Sequence, residues 1–251
     1  MHPDLIDFGF LHLRTYGACM AVGFLLCWHL VERISGRKDI SNLMMYLMLA
    51  GVAGSRAAYV VEHWDAEFAA APLDVFKVWQ GGLMFYGGLV LALAVFFVWC
   101  RVKKENAVAL ADVLSVAVPL GHACGRIGCF FYGCCYGRDS DAWCAVVFPE
   151  FSPSWYEHGR RMVGVLPVQL FEAAALLVLF AVLLAVYLKT RRHTTGIYLI
   201  GYAAIRFGLE FLRGDPRAAF FGLSIGQLIS IGAALAGAAF LAYGERTRDN
   251  R

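Results

Sequence analysis

The sequence predicts an all-α polytopic membrane protein, one domain over residues 1–251, with seven transmembrane helices and a small external head or lid segment. Three observations predict it. Apolar runs of roughly 20 residues, the length that crosses about 30 Å of hydrocarbon as a helix, recur along the chain. Only 16% of the residues are charged and 60% are hydrophobic, whereas a soluble domain carries about a quarter charged. Lysines and arginines gather at alternate ends of the runs, as the positive-inside bias requires.

Taken in order, the spans are expected at 16–35, 43–62, 81–100, 107–126, 167–188, 196–213 and 221–243. The opening Met1-His2-Pro3-Asp4 lacks a basic start and no small-residue cleavage site follows, so the first run is expected to stay as a span. Arg33, Arg37 and Lys38 follow the first span, and Arg101, Lys103 and Lys104 the third. Lys189, Arg191 and Arg192 follow the fifth, and Arg246, Arg248 and Arg251 close the chain. These ends are expected in the cytoplasm, with the amino terminus outside and the carboxyl terminus inside. The net charge of +3 is explained by this topology and implies no nucleic-acid partner. The long connection 127–166 carries Trp143, Phe148, Phe151, Trp155 and Tyr156. These aromatics read as an interfacial belt on the outer leaflet.

On that frame Arg14, Tyr16, Arg56, Tyr86, His122, Arg126, Gln169, Glu172, Arg206, Glu210 and Arg213 all fall toward the outer side. Ionisable groups at membrane depth are costly unless they have a partner or a function. A shared polar cavity is therefore expected. Arg206, Glu210 and Arg213 are spaced by four and three, which puts two cations and one anion on one helical face. Arg126 adds a further guanidinium, and planar pairs of donors suit a phosphate. His122 stands one turn before Arg126 on the fourth span, where it reads as a general base or as a histidine bonded to a carbonyl. The stretch from Gly81 to Gly88 surrounds Tyr86 with glycines that allow close helix or lipid approach.

Five of the eight cysteines, Cys124, Cys129, Cys134, Cys135 and Cys144, fall in one short region. On the oxidising side, Cys134 or Cys135 could pair with Cys129 or Cys144. A thiol beside Arg126 could instead be reactive, because a cation stabilises thiolate. The spacing is not that of paired CxxC motifs and histidines are scarce nearby, so no metal is expected. No cofactor is expected either.

At these residues the chain resembles the prolipoprotein diacylglyceryl transferase family. The resemblance runs through Leu13-Arg14-Thr15-Tyr16-Gly17, Gly54-Ser55-Arg56, Gly81-Gly82-Leu83 with Gly87-Gly88-Leu89, the signature Gly125 to Gly137, Pro167 to Glu172, and Arg206 to Arg213. It implies transfer of a diacylglyceryl group from phosphatidylglycerol to a cysteine of a lipoprotein precursor, or a related thiol acceptor. The setting implied is the outer face of a bacterial inner membrane, among membrane lipids. By position, Arg126 and Arg206 would bind and polarise the phosphate, Glu210 and Arg213 would hold the network, and Tyr16 would line the cavity. Arg56, Gly125, Gly137, Gln169 and Glu172 lie in the matching motifs and are candidate substrate-binding residues. The chain departs from the family pattern at Tyr86 and Leu166, where histidines are usual, and at Cys129 and Cys134, where asparagine and glutamate are usual. His122, Tyr86, Cys129 and Cys134 are therefore candidates for the rewritten acid-base half. Another class of function remains open, a membrane thiol-redox or thiol-relay protein using Cys129, Cys134 and Cys135.

Overall fold

A computed structural model describes the backbone of residues 4–7, 12–214, 219–220 and 222–249, and the side chains of 15–79, 81–214 and 222–242. Within those residues the chain is mainly helical. The long helices are α1 (Thr15–Ser35), α2 (Ile40–Glu62), α3 (Phe85–Lys103) and α4 (Ala107–Tyr132), followed by a short α5 (Pro153–Glu157). Then come α6 (Val168–Thr190), α7 (Thr194–Glu210) and α8 (Ile225–Asp249). Three two-stranded antiparallel pairs accompany them: β1 (Asp4–Asp7) with β2 (His12–Arg14), β3 (Val146–Val147) with β4 (Gly164–Val165), and β5 (Ala219–Phe220) with β6 (Leu223–Ser224).

Among the described residues six helices, α1, α2, α3, α4, α6 and α8, are long and apolar enough to cross a membrane. Their outward surfaces remain apolar: Leu25, Val61, Val90, Val178 and Leu235 are each more than 60% exposed. So much uncovered hydrocarbon is stable only in a lipid solvent. Helix α7, with 17 residues, is shorter than the sixth predicted span and ends three residues early. The reason is a competing set of partners. Arg138 N–H donates to Leu212 O at 2.9 Å, and Arg213 forms a bridge with Gly137. Leu212 and Arg213 are thereby drawn out of the helical ladder.

The chain forms two compact units, Met1–Ile34 with Ala111–Arg251, and Ser35–Leu110. In the second unit α2 and α3 pack closely through small residues. A Cβ on Gly54 would stand 2.5 Å from Gly87 O, so the backbones approach as only glycine permits. The α2–α3 connection contains a π-turn (Trp64–Phe68) and two 3₁₀ turns (Pro72–Phe76 and Val78–Gln80). At the other end of this pair Arg37 bridges Asp39 and Glu105.

In the first unit α4 is the central helix. It runs six residues beyond the expected end at 126, so the Gly125–Gly128 part of the signature is helical. The turn starts at Gly133, whose φ is +81°. Buried Asp112 on α4 accepts the backbone N–H groups of His193 and Thr195, each at 2.9 Å. It thereby caps the amino terminus of a different helix, α7.

The connection after α4 has a small core of its own, made of Tyr136, Phe148 and Val165 with Phe130 against them. Phe148 is only 2% exposed, so it is a core residue and not part of an aromatic belt. Trp143, Phe151 and Tyr156 are the exposed aromatics of this segment. Ser152 caps α5 by accepting Trp155 N–H, with Pro153 in the first turn.

Candidate active site

The charged residues of the first unit converge from α4, α6 and α7. Glu172 lies one turn into α6 and is fully buried; its Oε1 is 3.1 Å from Arg126 Nε on α4. His122, one turn earlier on α4, has Nε2 3.8 Å from the same oxygen. From α7, Tyr202 lies near the Arg126 guanidinium. The Tyr202 ring lies 5.1 Å from His122 and stacks on Tyr198. Arg206, buried on α7, sits 2.7 Å from Glu210 through its Nη2. Gly226 of α8 faces this pair, where a Cβ would stand 3.0 Å from Glu210 Oε1. Glycine there lets α8 close over the ion pair without a clash.

The expected single face of Arg206, Glu210 and Arg213 is corrected in one respect. Arg206 and Glu210 are one helical turn apart and paired, but Arg213 lies past the end of α7. It reaches instead toward the Cys135 sulfur. Among the described residues, three guanidiniums, Arg126, Arg206 and Arg213, stand near two carboxylates, Glu172 and Glu210. Planar pairs of donors gathered in this way suit an anionic group.

The signature segment is held in place by polar contacts to its backbone. Gln169, 1% exposed in the first turn of α6, donates through Nε2 to Cys134 O at 2.7 Å. Gly137 N–H donates to Leu166 O at 2.8 Å, and a Cβ on Gly137 would collide with Leu166 and Val168. Tyr16, at the start of α1, lies against Gly128, and Gly125 faces Met20. Gln169, Gly125 and Gly137 are therefore framework residues of the signature, while Tyr16 is 42% exposed.

Cys129, Cys134 and Cys135 bring their sulfurs within 4.8 Å of one another. None of the eight cysteines is in a disulfide in this structure. Hydrogen bonds from Cys129 and Cys134, with Arg213 nearby, hold the Cys135 thiol well below its ordinary range. The same interactions, led by that with Cys129, push the Cys134 thiol up.

Arg56 and Tyr86 belong to the second unit. Arg56 is buried and donates to the carbonyls of Val75 (2.9 Å), Gly81 (2.8 Å), Gly82 (3.3 Å) and Asp74 (2.6 Å). It organises the α2–α3 connection. Tyr86 is 59% exposed at the start of α3, with its ring against Phe85. The sequence reading missed Tyr198 and Tyr202. The signal was present, because 198, 202, 206 and 210 recur every four residues and form one stripe on α7.

The family model described as prolipoprotein diacylglyceryl transferase matches residues 3–243. A phosphatidylglycerol-prolipoprotein diacylglyceryl transferase of Bordetella bronchiseptica is 33% identical over 97% of this chain and 95% of its own length. A protein of the same name from Methylocella silvestris is 35% identical over 97% and 94% respectively. One from Shigella boydii is 30% identical over 97% and 93%. With a match of this extent, the chain belongs to the prolipoprotein diacylglyceryl transferase family.

Proposed function

We propose that this protein transfers a diacylglyceryl group from phosphatidylglycerol to the cysteine thiol of a lipoprotein precursor. The observation that carries the reading is the match over residues 3–243, joined to relatives named for that reaction along almost their whole length. The same match favours a transferase over the thiol-redox alternative.

The reaction displaces a phosphate ester with a thiolate, so the site must hold an anion and stabilise the negative charge that develops as it leaves. Arg126 and Arg206 bind and polarise the phosphate. Glu172 and Glu210 orient them, since each carboxylate lies within ion-pair distance of its arginine. Arg213 holds the signature turn. His122, beside Glu172 and Tyr202, takes the thiol proton. Tyr16 lines the lipid side, and Gln169, Gly125 and Gly137 fix the signature backbone. Arg56 braces the connection from which Tyr86 begins α3.

In the membrane we read α7 with the following residues as a seventh span, since 17 residues rise about 25 Å and lie at the short end of what can cross. The basic ends of α1, α3 and α6 face the cytoplasm of a bacterial inner membrane, and the segment after α4 forms an external head or lid.

The test is incubation of the purified protein with phosphatidylglycerol vesicles and a lipobox-cysteine peptide, read by intact mass. A diacylglyceryl adduct on the peptide is expected. Arg126→Lys, which keeps the charge and loses the planar pair of donors, should reduce the rate by about 10²–10³. Failure of the wild type to form any adduct on the peptide would overturn the reading.

A further inference from the structure

The three sulfurs of Cys129, Cys134 and Cys135 meet at one point although two of them belong to adjacent residues. Neighbouring side chains in regular backbone diverge. Here Cys135 takes a left-handed conformation, φ +61°, which a non-glycine residue rarely adopts. The surrounding structure holds it there. Cys134 N–H donates to Cys129 O at 3.2 Å, and the buried Gln169 amide pins Cys134 O. All three cysteines are half-buried, so the cluster is neither a sealed packing feature nor a free surface. Three soft donors gathered at an accessible point suit a thiolate-binding metal ion.

We propose that Cys129, Cys134 and Cys135 bind a Zn²⁺ ion, and that its fourth position takes the acceptor cysteine as a zinc-bound thiolate. The second half rests on the transferase reading above; the first does not.

Three sulfurs at about 2.3 Å from a tetrahedral zinc stand about 3.8 Å apart. The observed spacing, within 4.8 Å, closes to that by side-chain rotation of about 1 Å or less. Three thiolates and a dication carry a net charge of −1. Arg213 at Cys135, and Arg126 within Coulombic reach of Cys129 and Cys135, offset it. Three protein ligands with one open position is the arrangement of catalytic zinc, whereas a structural zinc is closed by four. Zinc also does no redox chemistry, which suits a substitution in which no electron is gained or lost.

The step balances without a further reactant. The S–H bond of the acceptor breaks and its proton passes to His122 and on to solvent. The metal-held sulfur forms a bond to the glyceryl carbon that carries the phosphate. The C–O bond of that carbon breaks, and its electron pair leaves with glycerol phosphate toward the guanidiniums. The thioether product is a weaker ligand than a thiolate and departs.

The experiment uses the full chain in detergent under reducing conditions, stripped with chelator and reloaded with Zn²⁺ or Co²⁺. About one zinc per chain should survive gel filtration. Cobalt should show thiolate-to-metal charge transfer and the intense visible bands of a tetrahedral site. Cys129→Ser, Cys134→Ser and Cys135→Ser should each cut bound zinc to below about a tenth, while Cys144→Ser leaves it unchanged. A lipobox-cysteine peptide, but not its serine analogue, should shift the visible cobalt bands. Wild-type protein that retains no zinc and gives no charge-transfer band overturns the site, and that readout depends on no variant folding. If the peptide shifts the bands but no diacylglyceryl adduct forms, the transferase reading fails and the metal site stands. If metal-free protein forms the adduct at an undiminished rate, the thiol-activation role is overturned while the transferase reading stands.

Discussion

Arg126 on α4 and Glu172 on α6 form an ion pair, Nε to Oε1 at 3.1 Å, around a carboxylate with no exposed surface. Each has a second neighbour, Tyr202 for the guanidinium and His122 for the carboxylate. A buried charge is tolerable only with such company, and removing one partner leaves the other stranded.

Arg126→Ala should therefore destabilise the protein by about 3–5 kcal/mol as well as abolish activity. The double variant Arg126→Ala with Glu172→Ala should recover part of that loss, because no buried charge then remains unpaired. Thermal unfolding of the two variants in detergent checks it. A double variant less stable than the single one would contradict the pairing.

Asp112 on α4 ties down α7 through the amides of His193 and Thr195, and Thr194 Oγ1 donates back to Asp112 O at 2.6 Å. Asp112→Ala leaves two half-buried amides without an acceptor and should cost about 2–4 kcal/mol. Asp112→Asn, which keeps one carbonyl acceptor, should cost clearly less. Hydrogen exchange at the first turn of α7 reads the local effect, and equal protection in all three proteins would count against this cap.

The α2–α3 contact at Gly54 and Gly87 leaves no room for a methyl group. Gly87→Ala must push the backbones apart and should cost about 1–3 kcal/mol. Gly51, with nothing within 4 Å of a Cβ, is the control, and Gly51→Ala should be neutral or mildly stabilising. Melting temperatures of the two variants compare them directly.

Outside the spans, hydrogen bonds from Arg37 hold the carboxyls of both Asp39 and Glu105 below the usual carboxylate range. A depressed folded pKa gives stability that is present above the unfolded value of about 4 and is lost as pH falls through the folded values. Both Arg37 and Asp39 are well exposed, so solvent screening keeps the effect to about 1 kcal/mol. The stability difference between wild type and Arg37→Ala should be constant from pH 7 to about pH 5 and shrink below about pH 4. A difference that grows on acidification would have the wrong sign for this network.

The span positions were legible because an apolar run of membrane length has few alternatives, and α1, α2, α4 and α6 begin or end within a few residues of expectation. Arg126 and Arg206 stood out for a related reason, since charge is rare within an apolar run. Where the helices stop was not legible. Local pattern ended α4 at 126 and carried the sixth span to 213. The structure takes α4 on to Tyr132 and ends α7 at Glu210. Those ends are set by hydrogen bonds between distant segments, such as Arg138 with Leu212. Phe148 looked like an interfacial aromatic and is core, because the connection folds on itself around Tyr136 and Val165.

By itself the sequence determined a helical membrane protein, its basic ends and the inventory of charges and thiols, because composition, period and motif order are properties of the chain. Only the tertiary structure decided that Arg126 pairs with Glu172, that Arg213 turns to Cys135, and that three cysteines meet at one point. Helical spacing fixes the face on which a residue lies, but the residue it meets depends on which helix packs there and on how the turn between them bends.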